Sequence, residues 1–434
     1  MITLDTLRAD ELGAYGAIPS PSPLLDAFAA ESTLYERAVS PLPMTRPAHF
    51  SLFTSRYPRE HGVLNNQLSL PESEITLAEI FAQNGYRTGA FVAVAILSHS
   101  SGIGQGFEKH DPPSERQRSA DAVVVSALAW LGSLDARQPF FAWVHLFDPH
   151  QPYQQLDPAL GTVDPAMLEE LPQVDWPGLY RIARENDGDI PRRVLDHARS
   201  LYRSEVAYVD QQVGRLLAGL SLLRDLDDVI VVVTSDHGEC FENGVYFEHA
   251  DCLLESSLRV PLLIRHPPSF EPGARSDTVV SHLDLAPTLL EATGIDAPSS
   301  FNGTPLQHVG QGERQVLVQH PFYQHKAVAG RLEKRKVIET VAGLPAARVL
   351  IDEEKVGVVS SDWKYLRTRS GEELYRLGAE PDETRNLAAV EDSLREAREA
   401  ALDDLLAQHP LVLLDAAEIN EELRATLEAL GYVQ

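Results

Sequence analysis

A chain of 434 residues, 44% of them apolar, is long enough to form one large domain and a smaller one. Its 64 acidic and 37 basic residues give a formal net charge of −27, which argues against a protein that binds nucleic acid. An anionic substrate therefore has to be attracted by a local positive centre, for which a bound metal ion is the simplest source. No stretch approaches the ~18 consecutive apolar residues of a membrane span, so no membrane partner is expected.

The sequence starts in an apolar, strand-like stretch, MITLD, with no signal peptide in front of it. As written it predicts a cytoplasmic protein, whereas a natural start upstream of Met1 would be compatible with a periplasmic or secreted one. The two cysteines, Cys240 and Cys252, are too few for a disulfide framework and lack C-x-x-C spacing. We expect them to be small buried core residues rather than metal ligands or a catalytic thiol.

Strand-like and helix-like segments alternate over the first ~300 residues. Continuous apolar runs predict strands at 2–4, 88–95, 140–147, 229–233 and 258–264. Helical periodicity and start signals predict helices at 24–30, from Pro47 onward, and at 76–84, 120–131, 199–220 and 281–294. Residues 154–195, rich in Pro, Asp and Gly, have no clear period and are expected to form a surface insertion. The alternation predicts an α/β fold with a doubly wound, mostly parallel sheet flanked by helices.

The pattern changes near residue 315. Short strands close together in sequence, at 316–319, 347–351, 356–359 and 363–366, suit a small antiparallel sheet. Two helices, at 393–408 and 419–430, follow them. The predicted organisation is a large α/β domain at 1–314 and a C-terminal α+β subdomain at 315–434.

Acidic and imidazole side chains follow three of the predicted strands. Asp5 follows the first strand, Asp148 and His150 follow the strand at 140–147, and Asp236 and His237 follow the strand at 229–233. Ligands of open α/β sheets bind beyond the carboxyl ends of the strands, and carboxylate and imidazole are common metal ligands. Taken alone, Asp236 and His237 fit a solvent-exposed loop equally well. Acidic or imidazole side chains at the ends of three strands, however, favour a metal site.

Thr45 lies two residues before Pro47, which fits the first turn of a helix. Thr45 is therefore at or next to the helix N-cap, where free N–H groups favour an anion. Two roles fit this position: a simple helix cap, or a residue that faces an anionic substrate. His145, within a buried strand, is expected to be a core residue with satisfied hydrogen bonds.

Seven segments in order along the chain resemble the sulfatase family of the alkaline phosphatase superfamily, whose fold the chain is then expected to share. They are ITLDTLRAD at 2–10, TRPAHFSLFTSRYPREHGV at 45–63, HLFDPHQPY at 145–153, TSDHGE at 234–239, RVPLLIRHP at 259–267, HLDLAPTLLEATGI at 282–295 and ELYRLGAEPDETRNLA at 373–388.

The resemblance also implies roles for single residues. It implies a divalent metal ion bound by Asp5, Asp236 and His237. It implies that Thr45 occupies the position of the nucleophile. It further implies that His150 and His249 contact the anionic group of the substrate.

Several positions depart from the family pattern. The family's Cys-x-Pro-x-Arg sequence, whose Cys becomes formylglycine, is replaced by Thr45-Arg46-Pro47-Ala48-His49, so that modification cannot occur here. His49 stands where the Arg would be and is a candidate for substrate binding. Thr6 replaces the second Asp of the usual pair, and AFVAVAILSH at 90–99 stands where a Gly-Lys-Trp-His segment would be. These departures bear on the activity rather than on the architecture.

A threonine hydroxyl is a poor nucleophile unless it is activated, for example by a divalent ion. Phosphodiesterases and nucleotide pyrophosphatases of the same superfamily use a metal-bound Thr with two metals. By that comparison Asp148, His150 and His249 would form a second metal site. The alternative is a single metal ion, with the two histidines donating hydrogen bonds to the substrate. Calcium, magnesium, manganese and zinc are all candidates, and ligation rich in imidazole favours zinc or manganese.

The sequence as a whole predicts a metal-dependent hydrolase of a small anionic ester: a sulfate ester, a phosphate diester or a phosphonate ester. One alternative is a transferase that passes the phospho or sulfo group from Thr45 to an acceptor hydroxyl. The other is a catalytically degenerate protein that only binds a sulfated or phosphorylated ligand. The Asp expected at Thr6 and the missing formylglycine site favour this last alternative.

Overall fold

The computed structural model of the protein describes residues 1–161, 163–186, 190–241, 249–250, 252–310, 312–320, 355–368, 371–378 and 383–414. The predicted strand at 347–351 and the predicted helix at 419–430 lie outside these ranges.

Fourteen strands are found in the described ranges. They are β1 (Ile2–Leu4), β2 (Thr33–Val39), β3 (Arg87–Val92), β4 (Lys109–Asp111), β5 (Phe140–Leu146), β6 (Tyr153–Gln154), β7 (Gln173–Val174), β8 (Val231–Ser235), β9 (Arg259–Arg265), β10 (Arg275–Ser281), β11 (Val316–Gln319), β12 (Val356–Val359), β13 (Trp363–Arg367) and β14 (Glu372–Arg376).

Eleven α-helices lie in the same ranges. They are α1 (Pro23–Ala30), α2 (Thr45–Thr54), α3 (Pro58–His61), α4 (Leu77–Gln83), α5 (Ala120–Ser133), α6 (Pro165–Glu170), α7 (Trp176–Glu185), α8 (Arg192–Leu223), α9 (Glu255–Leu258), α10 (Leu285–Ala292) and α11 (Asp392–Gln408).

An eight-stranded sheet forms the centre of the larger part, with the strand order β10-β2-β9-β8-β1-β5-β3-β4. Every neighbouring pair is parallel except the two pairs that include β9. All five residues of β8 are buried, which explains why its sequence begins with three consecutive valines instead of alternating apolar and polar residues. Helix α8 packs on α1 and α5 and buries Val206, Val209 and Val213. The predicted doubly wound, mostly parallel sheet is therefore confirmed.

The smaller sheet is antiparallel, with the order β11-β12-β13-β14. Tyr365 and Leu374 of this sheet, Leu402 of α11, and Tyr57 and Leu258 of the larger part share one hydrophobic core. The short antiparallel sheet expected near the C-terminus is thus confirmed, and it packs against the larger part. The division at residue 314 stays a prediction.

Some elements differ from the predicted ones. Strands β2 and β10, at one edge of the large sheet, were missed because polar residues interrupt their apolar runs (TLYERAV and RSDTVVS). Residues 154–195 include α6, α7 and the β6–β7 pair, and Val174, Leu179 and Ile190 are buried. The two-residue strands and α6 are too short to show a period, whereas the apolar residues Trp176, Leu179 and Ile182 of α7 do have helical spacing, which the prediction of an insertion without a clear period overlooked.

Among the described residues, no helix combines the length and apolarity needed to cross a membrane.

Candidate active site

The pairing of β1 with β8 brings two carboxylates together at the carboxyl edge of the large sheet. Leu4 lies beside Ser235 in this parallel pair, so Asp5 and Asp236 leave the sheet side by side. The hydroxyl of Ser235 accepts a hydrogen bond from the Leu7 N–H at 3.1 Å. That bond ties the loop after β1 to the end of β8.

Thr6 adopts an unusual backbone conformation in this loop, with φ of 55°. This left-handed region is uncommon for a β-branched residue and is strained there. The conformation directs the Thr6 N–H to Oδ1 of Asp236 at 3.3 Å. The residue that replaces the family's second Asp thus contributes its backbone to the site, and its buried Oγ1 has no hydrogen-bond partner in the described part of the chain.

Asp5, Asp236 and His237 form a compact group in which one ligand atom of each lies within 4.8 Å of the others. All three side chains are fully buried. Asp5 Oδ1, Asp236 Oδ2 and His237 Nε2 lack hydrogen-bond partners among the described residues. Buried polar atoms without partners are costly, and carboxylate and imidazole atoms that converge in this way suit a divalent cation. The residues present therefore fit a metal ion.

The ring of His237 is fixed in the tautomer that a metal ligand needs. Its Nδ1 lies 3.0 Å from the carbonyl oxygen of Gly238 and donates to it, because a carbonyl can only accept. Nε2 therefore carries the lone pair. Burial lowers the pKa of His237 to about 4, so the ring is neutral near pH 7. Burial also raises the pKa of Asp5 to about 6 and, together with the charge of Asp5, that of Asp236 to about 7.

Thr45 is the first residue of α2, and its buried Oγ1 has no protein hydrogen-bond partner within the described ranges. Its carbonyl oxygen accepts a hydrogen bond of 2.7 Å from Nδ1 of His49, and the same nitrogen lies 3.7 Å from Oδ2 of Asp236. One imidazole therefore links the backbone of Thr45 to the metal-ligand group.

His49 is fully buried behind Thr45, with both ring nitrogens occupied. Its Nδ1–H goes to the Thr45 carbonyl, so Nε2 accepts from the hydroxyl of Thr3 at 3.0 Å, and that hydroxyl in turn accepts from the indole N–H of Trp143 at 2.9 Å. Burial lowers the pKa of His49 to about 3, so the ring is neutral. This arrangement suits a residue that positions Thr45 better than one that touches substrate.

His145 contacts Asp5, one of the three candidate metal ligands. Its Nε2 lies 3.2 Å from Oδ2 of Asp5, and its Nδ1 lies 3.5 Å from the Ala93 N–H. If Nδ1 accepts, Nε2–H donates to Asp5, which is the usual outer contact that orients a ligating carboxylate. The expected satisfied core histidine therefore finds its partner in the site itself.

His150 and His249 lie close to each other and to His237. The ring centroids of His150 and His249 are 5.4 Å apart, and His249 stacks on His237 with a centroid distance of 4.4 Å. Nδ1 of His249 lies 3.2 Å from Oε1 of Glu239, whose Oε2 accepts from the hydroxyl of Tyr153 at 2.7 Å. The structure thus gathers both predicted histidines beside the metal-ligand group.

Glu239 connects these residues, although sequence reasoning assigned it no role. Burial alone would raise its pKa, but the imidazole of His249 and the hydrogen bonds from His249 and Tyr153 hold the pKa below its usual value. An ionised Glu239 stabilises a proton on His249. The position of Glu239 in TSDHGE, two residues after the candidate metal ligand His237, was the available signal.

Asp148, which follows β5 in the chain, contacts the N-terminus of α5 and lies outside the group of three candidate metal ligands. Its Oδ2 accepts a hydrogen bond of 2.8 Å from the N–H of Ala120, the first residue of that helix. A carboxylate at a helix N-terminus satisfies a free N–H and interacts favourably with the helix dipole. Among the described residues, only Asp5, Asp236 and His237 form a group of three or more side chains that could bind a metal.

Asp148→Asn is expected to leave metal affinity and turnover within about threefold of wild type, since the amide oxygen can still accept from Ala120. Burial raises the pKa of Asp148 to about 7. A carboxyl with a raised folded-state pKa stabilises the fold at low pH, and this contribution is lost as the pH rises toward that value. The variant should therefore lose less stability than wild type between pH 4 and pH 8, measured by thermal unfolding in chelator. A large loss of metal affinity would instead make Asp148 a ligand.

Cys240 and Cys252 form a disulfide in the structure, twelve residues apart in sequence. Both are buried, as predicted, but the prediction that they are simple core residues is wrong. The disulfide joins the residue that follows Glu239 to a residue three positions after His249. Spacing along the chain could not reveal it, because the approach of the two thiols depends on the turn after β8.

Gly238 allows the turn after β8 to approach α9. A Cβ at this position would lie 2.1 Å from the carbonyl oxygen of Ser256. We expect Gly238→Ala to lower the free energy of unfolding by about 1–3 kcal/mol and to weaken metal binding, because the turn must move away from α9. Urea denaturation and calorimetric metal titration measure the two effects. Gly310→Ala is the matched control, since a Cβ there meets nothing within 4 Å; equal behaviour of the two variants would contradict the expectation.

A sequence model of the family Sulfatase matches residues 1–295, well over half of the chain. The chain belongs to the sulfatase family. This sulfatase-family protein is accordingly an ester hydrolase of the alkaline phosphatase superfamily, with the activity of a sulfuric ester hydrolase.

Individual relatives are distant in sequence. The protein is 22% identical over 391 residues to an N-acetylglucosamine-6-O-sulfatase of Bacteroides thetaiotaomicron (71% of this chain, 70% of the relative). It is 27% identical over 358 residues to an ulvan-active sulfatase of Formosa agariphila (74% and 68%). Among solved structures, the phosphonate monoester hydrolase of Agrobacterium radiobacter superposes with a TM-score of 0.75 at 21% identity and covers 97% of each chain. The last likeness demonstrates the shared fold.

Proposed function

We propose that this sulfatase-family protein hydrolyses a small anionic sulfate ester, phosphate diester or phosphonate ester, with Thr45 as the nucleophile. The observation that carries the proposal is the buried Oγ1 of Thr45, which has no hydrogen-bond partner in the described chain and sits at the start of α2. Met44 is the N-cap of α2, and the Thr45 hydroxyl makes no capping hydrogen bond. It is a group held ready for a ligand.

Asp5, Asp236 and His237 would hold one divalent cation, which supplies positive charge that stabilises an ionised hydroxyl and the oxygens of the substrate. Manganese and zinc suit the mixed carboxylate and imidazole donors best. His49 holds the carbonyl of Thr45, and His145 holds the carboxylate of Asp5, so that both reacting and ligating groups are oriented before substrate binds.

The reaction then takes two displacements. Thr45 loses its hydroxyl proton to water, and its Oγ forms a bond to the sulfur or phosphorus centre while the bond to the ester oxygen breaks. The departing oxygen takes up a proton and leaves as the alcohol. Water next attacks the same centre while its bond to Oγ of Thr45 breaks, and a proton of that water restores the Thr45 hydroxyl. The product is sulfate from a sulfate ester, a phosphate monoester from a diester, or a phosphonate from a phosphonate ester. The Arg46 N–H donates to Oδ1 of Asn66 at 2.9 Å and Pro47 has no N–H, so the first turn of α2 would act on the anion mainly through the positive end of the helix dipole.

His249 is suited to donate a proton to the ester. Glu239 accepts from its Nδ1 and stabilises its charged form, so Nε2, on the opposite side of the ring, is the atom to place at the substrate. His150 donates Nδ1–H to the carbonyl of Gln151 at 2.8 Å and is held neutral by burial, which lowers its pKa to about 3. The negative charge of a bound ester would raise that pKa and recruit His150 as a second donor.

The test is a panel of nitrophenyl sulfate, phosphate, phosphodiester and phosphonate esters, assayed with manganese, zinc, magnesium or calcium. We expect turnover of at least one ester with at least one ion. Rapid quenching and mass spectrometry should find the added sulfo or phospho group on the peptide that contains Thr45. Turnover without such an adduct, and unchanged in Thr45→Ala, would contradict the nucleophile.

The same panel separates the alternatives. A transferase would release more nitrophenol than free sulfate or phosphate when an acceptor alcohol is added. A degenerate binder would bind a sulfated or phosphorylated ligand in calorimetry and turn over none of the esters. One bound ion per chain in metal analysis agrees with the proposal, and two would favour a second site at His150 and His249.

A further inference from the structure

The turn that carries Asp236 and His237 is held from outside the large sheet. The Gly238 N–H donates to the carbonyl of Ser257 at 2.8 Å, and the Glu239 N–H donates to the carbonyl of Ser256 at 3.0 Å. Both acceptors belong to α9, a helix of four residues. Because Gly238 has no side chain, the two backbones lie in direct contact. A shift of α9 would therefore move the metal-ligand turn.

A carboxylate of the C-terminal part fixes the start of α9. Oε2 of Glu383 accepts a hydrogen bond of 2.8 Å from the N–H of Glu255, the first residue of α9. Glu383 comes from the segment ELYRLGAEPDETRNLA, which the proposed chemistry does not otherwise use. One carboxylate oxygen thus ties the C-terminal segment to the helix that supports the site.

Lys364, in β13, holds that carboxylate in place. Its Nζ forms an ion pair with Oε1 of Glu383 and lies 3.6 Å from Oε1 of Glu255. Lys364 is fully buried and Glu383 is 8% exposed. A lysine is almost never fully buried without a partner, and removing both charges from water is unfavourable. Since a buried pair is weak evidence for stability, its better-supported use is to fix one arrangement of the elements it joins.

We propose that Lys364 and Glu383 are positioning residues for the metal-binding turn: they anchor α9 to the C-terminal sheet, and α9 holds Gly238 and Glu239. The inference rests on the proposed function in one respect, namely that Asp236 and His237 bind a divalent ion. The contacts run without interruption from Lys364 to Glu383, to the first N–H of α9, and from the α9 carbonyls to the turn. The C-terminal sheet then acts on the metal-binding turn through α9, from outside the group formed by Asp5, Asp236 and His237.

The experiment compares Lys364→Met with Lys355→Met in the full chain. Lys355 also forms an ion pair in the small sheet, with Glu373 at 2.8 Å. We expect Lys364→Met to weaken manganese binding in calorimetry by about 10- to 100-fold, as loss of an outer partner of a metal site does. Lys355→Met should stay within about twofold of wild type. Hydrogen exchange of the peptide that covers 234–241, measured without metal, should become about tenfold faster in Lys364→Met only.

A second variant covers the case in which Lys364→Met does not fold. Glu383→Asp keeps both charges but shortens the reach to Glu255 by one methylene, and we expect several-fold weaker manganese binding and faster exchange at 234–241. Lys364→Met/Glu383→Gln should recover part of the manganese affinity, because a neutral amide oxygen can still accept from the Glu255 N–H. Wild-type affinity and exchange in folded Lys364→Met or Glu383→Asp would overturn the inference. If wild type binds no divalent ion, the proposed function fails, and the metal-free exchange comparison still decides the anchoring of the turn.

Discussion

Thr45→Ala is expected to lower turnover of the best nitrophenyl ester by about 1,000-fold or more, because loss of a nucleophile removes the whole covalent route. Thr45 Oγ1 makes no hydrogen bond to another described residue, so its removal leaves no protein partner unsatisfied. The protein should therefore fold with nearly the stability of wild type. Steady-state kinetics measure the loss, and thermal unfolding checks the fold.

Thr54→Ala is the matched control for this prediction. Thr54 is the last residue of the same helix, is equally buried, and donates its hydroxyl hydrogen to the Phe50 carbonyl at 2.7 Å. The control should lose more stability than Thr45→Ala and keep turnover within about threefold of wild type. If Thr45→Ala retains wild-type turnover, Thr45 is a structural residue and the covalent mechanism is wrong.

The predicted metal-ligand positions follow from a simple physical rule that the sequence displays. Parallel strands end at one edge of a sheet, so polar residues placed directly after buried runs meet there. Asp5 after β1 and Asp236 after β8 illustrate this, because the two strands are neighbours in register. The sequence does not reveal that β1 and β8 are adjacent, but it does predict candidate metal ligands directly after both strands.

Asp148 also follows a strand, but it does not join the group formed by Asp5, Asp236 and His237. It is one residue beyond Phe147, and its carboxylate serves the first turn of α5 rather than the group at Asp5 and Asp236. The direction of a side chain after a strand depends on the loop, and the strand pattern contains no information about that direction. For the same reason the contacts of His49 and His145, which depend on the packing of α2 against β1 and β5, could not be predicted.

The contacts that support the site from outside the large sheet could not be predicted from the sequence either. Glu239, Glu383 and Lys364 each belong to a segment with a recognisable pattern, but their contacts join residues far apart in the chain. Long-range pairs of single polar residues leave no periodic signal. Strand β10 at the edge of the sheet and its neighbour β2 were missed for a related reason, since their polar residues hide the apolar run that a central strand shows.

Asp236→Asn is expected to weaken binding of manganese or zinc by more than about 100-fold, since loss of a mere outer contact already costs about 10- to 100-fold. The two oxygens of Asp236 face different partners. Oδ1 accepts from the backbone N–H groups of Thr6 at 3.3 Å and His237 at 2.8 Å, while Oδ2 has no hydrogen-bond partner among the described residues. Asparagine can keep its oxygen at the first place, which leaves its NH₂ donor at the second. A donor that points at a cation repels it.

The same substitution should not destabilise the metal-free protein. Burial and the charge of Asp5 raise the pKa of Asp236 to about 7, so the folded state already disfavours the ionised carboxylate. At mildly alkaline pH, where wild type must carry that charge, Asp236→Asn in chelator is expected to unfold at the same temperature as wild type or higher. Added manganese should then raise the unfolding temperature of wild type and not that of Asp236→Asn.

Asp210→Asn is the control. Asp210 is another buried acid, its carboxylate accepts from the backbone of α1, and the variant should respond to manganese as wild type does. The loss of a direct ligand should leave folding unchanged and abolish the stabilisation by manganese. If manganese still stabilises the Asp236→Asn protein, Asp236 is not a ligand.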